Sequence, residues 1–283
     1  MSDLKIISPG LLTTIQDLGR YGYRSQGVPV SGAMDQAAAK LANALVQNNE
    51  NEALLECTMM GPKIEFLSDT YIAVSGADVE IKIDGISQNI NQTIAITCGS
   101  ILQFGRLHYG CRFYISFASG IDVPLTLGSR STDTISKIGP KVIQRGDTLK
   151  FIDSSKKSLL VDYQPPSKNT SNEIVVYPGP EYDIIKDINF SDLAFNIDPA
   201  SNRMAYLLHS NINFAHSYEM ISSGVLPGTI QLTPSGQFNV LMRDAQTTGG
   251  YPRVLQVAED SLDYLAQCRG RSEIKFELKS IEY

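Results

Sequence analysis

The 283-residue chain is 42% hydrophobic and 19% charged, the balance of an ordinary globular protein, and its length exceeds that of the usual single domain. A formal net charge of −6 argues against nucleic acid or an anionic membrane as the main partner, since basic surface holds both. No stretch approaches the apolar length of a membrane helix, and MSDLKIISPG carries no cationic region ahead of an apolar run, so a cytoplasmic location is expected.

The first predicted strand is LKIIS. A helix is expected over SGAMDQAAAKLANALVQNN, where Met34, Ala37, Ala38, Leu41 and Leu45 fall on one face, Ser31 can cap the start and Asp35 suits the first turn. Short β-rich runs then recur as ALLECTMM, KIEFL, YIAVSG, VEIKIDG, TIAITCGSILQF, RFYISFA and DTLKFI. After residue 173 the pattern resumes with EIVVYPG, RMAYLLH, TIQLTP, FNVLMRD, RVLQVA and EIKFELKS. One more helix is expected in AEDSLDYLAQCRG, with Leu262, Leu265 and Ala266 inward and Gly270 placed to end it. Strands of this length, separated by Gly, Pro, Asn and Asp, predict a mainly β protein closed into barrels or sandwiches, with helix below about a fifth of the chain.

The best boundary is VDYQPPSKNTSNE, where two prolines and a polar stretch interrupt the β pattern, giving domains over 1–165 and 173–283. Cys57, Cys98, Cys111 and Cys268 have no C-x-x-C spacing and read as reduced thiols. The three histidines form no zinc-binding pattern, so no metal site is expected.

The densest polar chemistry lies in RDAQTTGGYPR, residues 243–253, between the apolar runs FNVLM and VLQVA. Gly249 and Gly250 permit close backbone approach, while Arg243, Asp244, Gln246, Thr247 and Thr248 supply donors and acceptors. The same residues could instead cap a buried turn. An echo of spacing, Q-x-x-G-x-Y, links QDLGRY (Gln16 to Tyr21) with QTTGGY (Gln246 to Tyr251). Arg20 reads as a site residue or a buried anchor, Ser31 as a helix cap, and Arg130 in GSRSTD as part of an anion cradle or a capped turn. Arg203, a charge in an apolar strand pattern, is expected to be paired or to face a ligand. The candidate catalytic set is Arg20, Asp35, Arg130, Asp244 and Gln246. The candidate substrate-binding set is Gln16, Arg203, Gln231, Thr247, Gly249, Gly250 and Tyr251. The loops carrying Gln16 and Gln246 are expected to meet at one concave site.

TTIQDLGRYGYRSQGVPVSGAMD, LANALVQNN, ALLECTMMGP, GIDVPLTLGSRSTD, SSGVLPGTIQLTPSG and RDAQTTGGYPRV, in this order, closely resemble the family of allophanate hydrolase subunit 2. That family includes the C component of 5-oxoprolinase, the KipI antagonist and the carboxyltransferase domain, subdomains A and B, of urea carboxylase. The resemblance implies two tandem cyclophilin-like β-barrel domains. It also implies work in a heteromer with a sister subunit resembling the B component of 5-oxoprolinase (allophanate hydrolase subunit 1), in some cases with a lactam-utilisation protein. It implies ATP, with magnesium, in the opening of 5-oxo-L-proline to L-glutamate. Alternatives are a biotin-dependent carboxyltransferase acting on urea or a related amide, and a regulatory antagonist of a kinase inhibitor. No Walker-type loop is present, so ATP enters only through the resemblance, and no Met-Lys-Met setting offers a covalent biotin site.

Overall fold

The computed structural model describes residues 3–153, 159–163, 172–190, 193–212 and 214–280. The chain forms two compact units, one of residues 1–21 and 31–168, the other of residues 22–30 and 169–283. The middle of the expected linker, residues 164–171, lies outside the described residues. Helix makes up 9% and strand 39%, which places the protein in the mainly β class that its alternating pattern predicts. No helix among the described residues is long and apolar enough to cross a membrane.

The first unit contains β1 (Leu4–Ser8), β2 (Leu12–Gln16), α1 (Gln36–Leu45), β3 (Leu54–Thr58), β4 (Lys63–Phe66), β5 (Thr70–Ile83), β6 (Ile86–Gln88), β7 (Thr93–Ile96), β8 (Ile101–Phe117) and β9 (Thr148–Leu149). They make one nine-stranded sheet in the order β2-β3-β8-β4-β1-β9, with β5 paired to β8 and carrying β6 and β7. YIAVSG and VEIKIDG, expected as two strands, are one 14-residue strand. Gly76 at φ 103° and register shifts on either side of Asp78 let β5 bend without breaking its pairing to β8. RFYISFA likewise continues the strand begun at Ile101, past Gly110 at φ 76°. Phe66, Phe113, Phe117 and Ile115 lie in the core of this sheet, with the Phe117 and Phe151 rings 5.3 Å apart.

Helix α1 begins later than its apolar pattern suggests. Asp35, not Ser31, is its cap, accepting the Ala38 amide through Oδ1. The buried face runs through Ala38, Ala39, Ala42 and Leu45, and Ala37 turns to solvent. Ser31 is fully buried at φ 57°, outside the helix, so it cannot reach the first-turn amides.

The second unit contains β10 (Glu173–Pro178), β11 (Ala194–Ile197), β12 (Ala205–His209), β13 (Ser223–Gly224), β14 (Thr229–Leu232), β15 (Phe238–Leu241), β16 (Thr248–Gly249), β17 (Arg253–Val257), α2 (Glu259–Leu265) and β18 (Glu273–Leu278). Seven strands close into a barrel in the order β10-β17-β14-β15-β12-β11-β18, sealed by parallel pairing of β10 with β18. Tyr206, Leu208, Ile230, Leu232, Phe238 and Val240 alternate along three neighbouring strands and are all buried. Helix α2 buries Leu262 and Leu265 as its period predicts, and ends five residues short of Gly270.

Candidate functional site

In the first unit the motifs QDLGR and GSRSTD come together around Asp17. Its Oδ1 accepts from the Gly19 amide at 2.9 Å, the Ser129 hydroxyl at 2.7 Å and the Ser131 hydroxyl at 2.5 Å; its Oδ2 accepts from the Arg130 amide at 2.6 Å. Arg20 is fully buried and donates to the carbonyls of Thr126 and Ser131, which commits this guanidinium to bracing the same loop. Arg130 donates through Nε to the Val123 carbonyl and holds Glu52 at 3.6 Å. Gln16 donates to Thr14 and to the Thr132 carbonyl, while its Oε1 is buried without an acceptor role among the described residues. Gly32, at φ 88°, lies against Leu18 and Gly19 so closely that a Cβ there would sit 2.8 Å from the Gly19 nitrogen. Asp17 stands outside the candidate sets; an acid two residues before a glycine turn is the signal the sequence offers for it.

Asp35, besides capping α1, sits in a buried network. Its amide donates to the Tyr114 hydroxyl, which donates to Glu56, and Glu56 also accepts from the Met34 amide. Burial, followed by the carboxylates of Glu56 and Asp35, pushes the Tyr114 phenol well above its ordinary range. Tyr114 therefore stays a neutral donor.

The second unit carries a cavity of about 320 Å³. Its floor is the outward set of the barrel strands that alternates with the core set: Leu207 opposite Asn239, Gln231 opposite Asn239, and Ala205 opposite Leu241. Gln246, Gly249, Gly250 and Tyr251 from RDAQTTGGYPR line it too, and Asn202 completes its polar groups. The glycine pair has a steric reason: a Cβ on Gly249 would collide with Gln231 Nε2. That amide donates to the Tyr251 carbonyl at 3.1 Å. Asn239 Oδ1 and Gln246 Oε1 are shielded from solvent and accept no hydrogen bond from the described residues. Asn239 is also outside the candidate sets, although a polar residue between Phe238 and Val240 marks an outward position.

The remaining polar groups of RDAQTTGGYPR anchor the loop. Arg243 reaches Glu259 at 2.7 Å and Asp263 at 3.2 Å. Asp244 is held by Arg203 in two parallel bonds of 2.8 Å, both side chains buried. Thr248 and Gly249 pair with Ser223 and Gly224 as a short ribbon. Arg24, from the segment 22–30 that groups with this unit, donates to the carbonyls of Val225 and Thr247. Burial lowers its affinity for the proton. Nothing near Arg24 in the sequence shows that its neighbours belong to the other unit, so this anchor has no local signal. Gln16, Arg20 and Arg130 belong to the first unit, Arg203, Gln231 and Gln246 to the second.

Arg253 at the loop's end binds Glu181 through Nε at 2.9 Å and Nη2 at 2.7 Å, and its amide bonds the same carboxylate. The Arg253 side-chain hydrogen bond, outweighing burial, holds the Glu181 carboxyl below its usual range, and the same bond raises Arg253. A depressed carboxyl stabilises the fold above its unfolded-state pKa and loses that contribution as pH falls through its folded value. Acid titration below about pH 4.3, the ordinary glutamate value, should therefore unfold Glu181→Gln with a shallower pH dependence than wild type. Equal slopes in circular dichroism would contradict the pairing.

Residues 26–278 match the family model for the carboxyltransferase domain, subdomain A and B. The chain belongs to that family. Within it, the chain is 37% identical to the C component of 5-oxoprolinase from Escherichia coli strain K12, covering 99% of this chain and 92% of that protein. The crystal structure of TTHA0988 superposes with a TM-score of 0.89 at 27% identity, over 98% of this chain, which spans 56% of that one. The K. lactis urea amidolyase structure superposes with a TM-score of 0.85 at 30% identity, this chain spanning 19% of it. Membership of this carboxyltransferase family accords with the mainly β architecture of both units.

Proposed function

We propose that the chain is one subunit of an ATP-dependent 5-oxoprolinase, opening 5-oxo-L-proline to L-glutamate together with a sister subunit resembling the B component of 5-oxoprolinase. The observation that carries this reading is the 37% identity to a 5-oxoprolinase component across nearly the full length of both chains. The cavity roofed by Gln246, Gly249 and Gly250 supports it as a place for a small polar ligand, since its volume falls at the lower end of ligand pockets. A lactam is a resonance-stabilised amide, and ATP would supply activation of its carbonyl oxygen.

The residues lining this cavity do not fit a triphosphate. None of them is charged, and Arg203, Arg243 and Arg253 are each bound to carboxylates. We assign the nucleotide and its magnesium to the sister subunit. This chain's part is to hold the amide, with Gln231, Asn239 and Gln246 fixed by the barrel and by the anchored loop.

The purified chain alone should release no glutamate, and mixing with the sister subunit should restore ATP- and 5-oxoproline-dependent release, read by a coupled glutamate assay. Turnover by the chain alone, or none from the reconstituted complex, counts against the proposal. The family match and the likeness to urea amidolyase favour a second reading, a carboxyltransferase acting on urea or a related amide with biotin carried by another chain. Carboxylation of urea by the complex, in place of glutamate release, would select it.

A further inference from the structure

The cavity on the second barrel collects the side-chain amides of Asn202, Gln231, Asn239 and Gln246 and contains no charged lining residue. A carboxylate or phosphate entering it would give up its hydration without meeting a counter-ion, which is costly in a partly enclosed site. Two buried acceptors, Asn239 Oδ1 and Gln246 Oε1, receive no donor from the described residues. Such an acceptor costs about 1–3 kcal/mol when left unmade, so a ligand that brings N–H groups gains what the protein forgoes. Carboxylates and phosphate dianions have no N–H to give. A carboxamide presents a donor and an acceptor side by side, the complement of an HN–C=O edge.

We propose that this cavity binds an uncharged planar amide, lactam or urea, through its HN–C=O edge, and that the anionic parts of substrate and nucleotide are held elsewhere in the complex. This deepens the reading of the chain as a subunit of an amide-processing enzyme and rests on it for its biological setting. Binding by the chain can be measured without turnover.

The test is isothermal titration of the full chain with 2-pyrrolidinone, 5-oxoproline, 2-imidazolidinone, γ-butyrolactone and inorganic phosphate. The lactone keeps ring and carbonyl and lacks the N–H. The two lactams should bind competitively with dissociation constants within about threefold of each other, since the carboxylate finds no partner in the cavity. 2-Imidazolidinone should compete with them if the site also accepts ureas, and its failure to do so restricts the proposal to lactams. The lactone should bind at least about tenfold more weakly, because a site built around an N–H rejects an analogue without one. Phosphate should not bind. Gln246→Ala and Asn239→Leu should each weaken 2-pyrrolidinone at least about tenfold while circular dichroism and the unfolding midpoint stay near wild type. Binding of 5-oxoproline but not 2-pyrrolidinone, equal binding of the lactone, no lactam binding at all, or lactam binding untouched by both substitutions overturns the proposal. Lactam binding by a chain whose reconstituted complex releases no glutamate leaves the cavity assignment standing and removes the 5-oxoprolinase reading. An active complex in which both substitutions leave KM for 5-oxoproline unchanged does the reverse.

Discussion

Asp244→Ala should destabilise the chain by about 3–5 kcal/mol, the cost of leaving one member of a buried ion pair without its partner. The Arg203 and Asp244 side chains are 4% and 0% exposed, and both bonds between them are 2.8 Å, so little water can replace the lost carboxylate. The Asp244 amide also donates to the Arg203 carbonyl, which ties the start of the loop to the residue two before β12. Replacing both partners, Arg203→Met with Asp244→Leu, should recover most of the loss, because it removes the stranded charge as well as the bond. Urea unfolding of the single and double variants measures this directly. The experiment also separates two roles for Asp244: a catalytic carboxylate predicts that Asp244→Asn loses turnover in the complex at unchanged stability, whereas an anchoring carboxylate predicts a parallel loss of both. A single-variant loss below about 1 kcal/mol would show that the pair is not the buried anchor described.

The strands were legible because sheet burial writes a period of two into the sequence, and LKIIS, KIEFL, EIVVYPG and EIKFELKS all emerge as strands close to their expected ends. Strand continuity was not legible. Gly76 and Gly110 read as punctuation, yet within β5 and β8 they mark bends that keep a long ribbon paired. The helix cap was displaced from Ser31 to Asp35 because several Asx and Ser residues compete near a helix start and only the backbone conformation decides. Charge pairing was the least visible layer. Arg203 finds Asp244 at a separation of 41 residues and Arg253 finds Glu181 at 72, distances over which no local pattern carries information. The pair Gly249 and Gly250 suggested a close approach, and the neighbour proves to be a side chain, Gln231. Gln231 and Asn239 face one another across β14 and β15 through register, which a set of motifs does not contain.

Asp17→Ala should cost on the order of 4 kcal/mol, because one carboxylate serves four donors and each donor left unpaired in a buried place carries its own penalty. The Ser129 and Ser131 hydroxyls can rotate toward other acceptors, but the Gly19 and Arg130 amides are fixed by the backbone and cannot. Asp17→Asn keeps one oxygen and turns an NH₂ group toward donors, so its loss should be smaller but real, about 2 kcal/mol. Hydrogen exchange gives a local reading that stability alone does not: the Gly19 and Arg130 amides should lose protection in Asp17→Ala, and one of them should keep it in Asp17→Asn. Arg20 bonds the Ser131 carbonyl in the same loop and Arg130 lies between the two serines, so loosening Asp17 frees both candidate catalytic arginines without altering either. Activity in the reconstituted complex should then fall in Asp17→Ala even at temperatures where the chain is folded, if those arginines act on substrate. Full protection of both amides in Asp17→Ala would mean that other groups hold the loop, and the description of Asp17 as its clasp would be wrong.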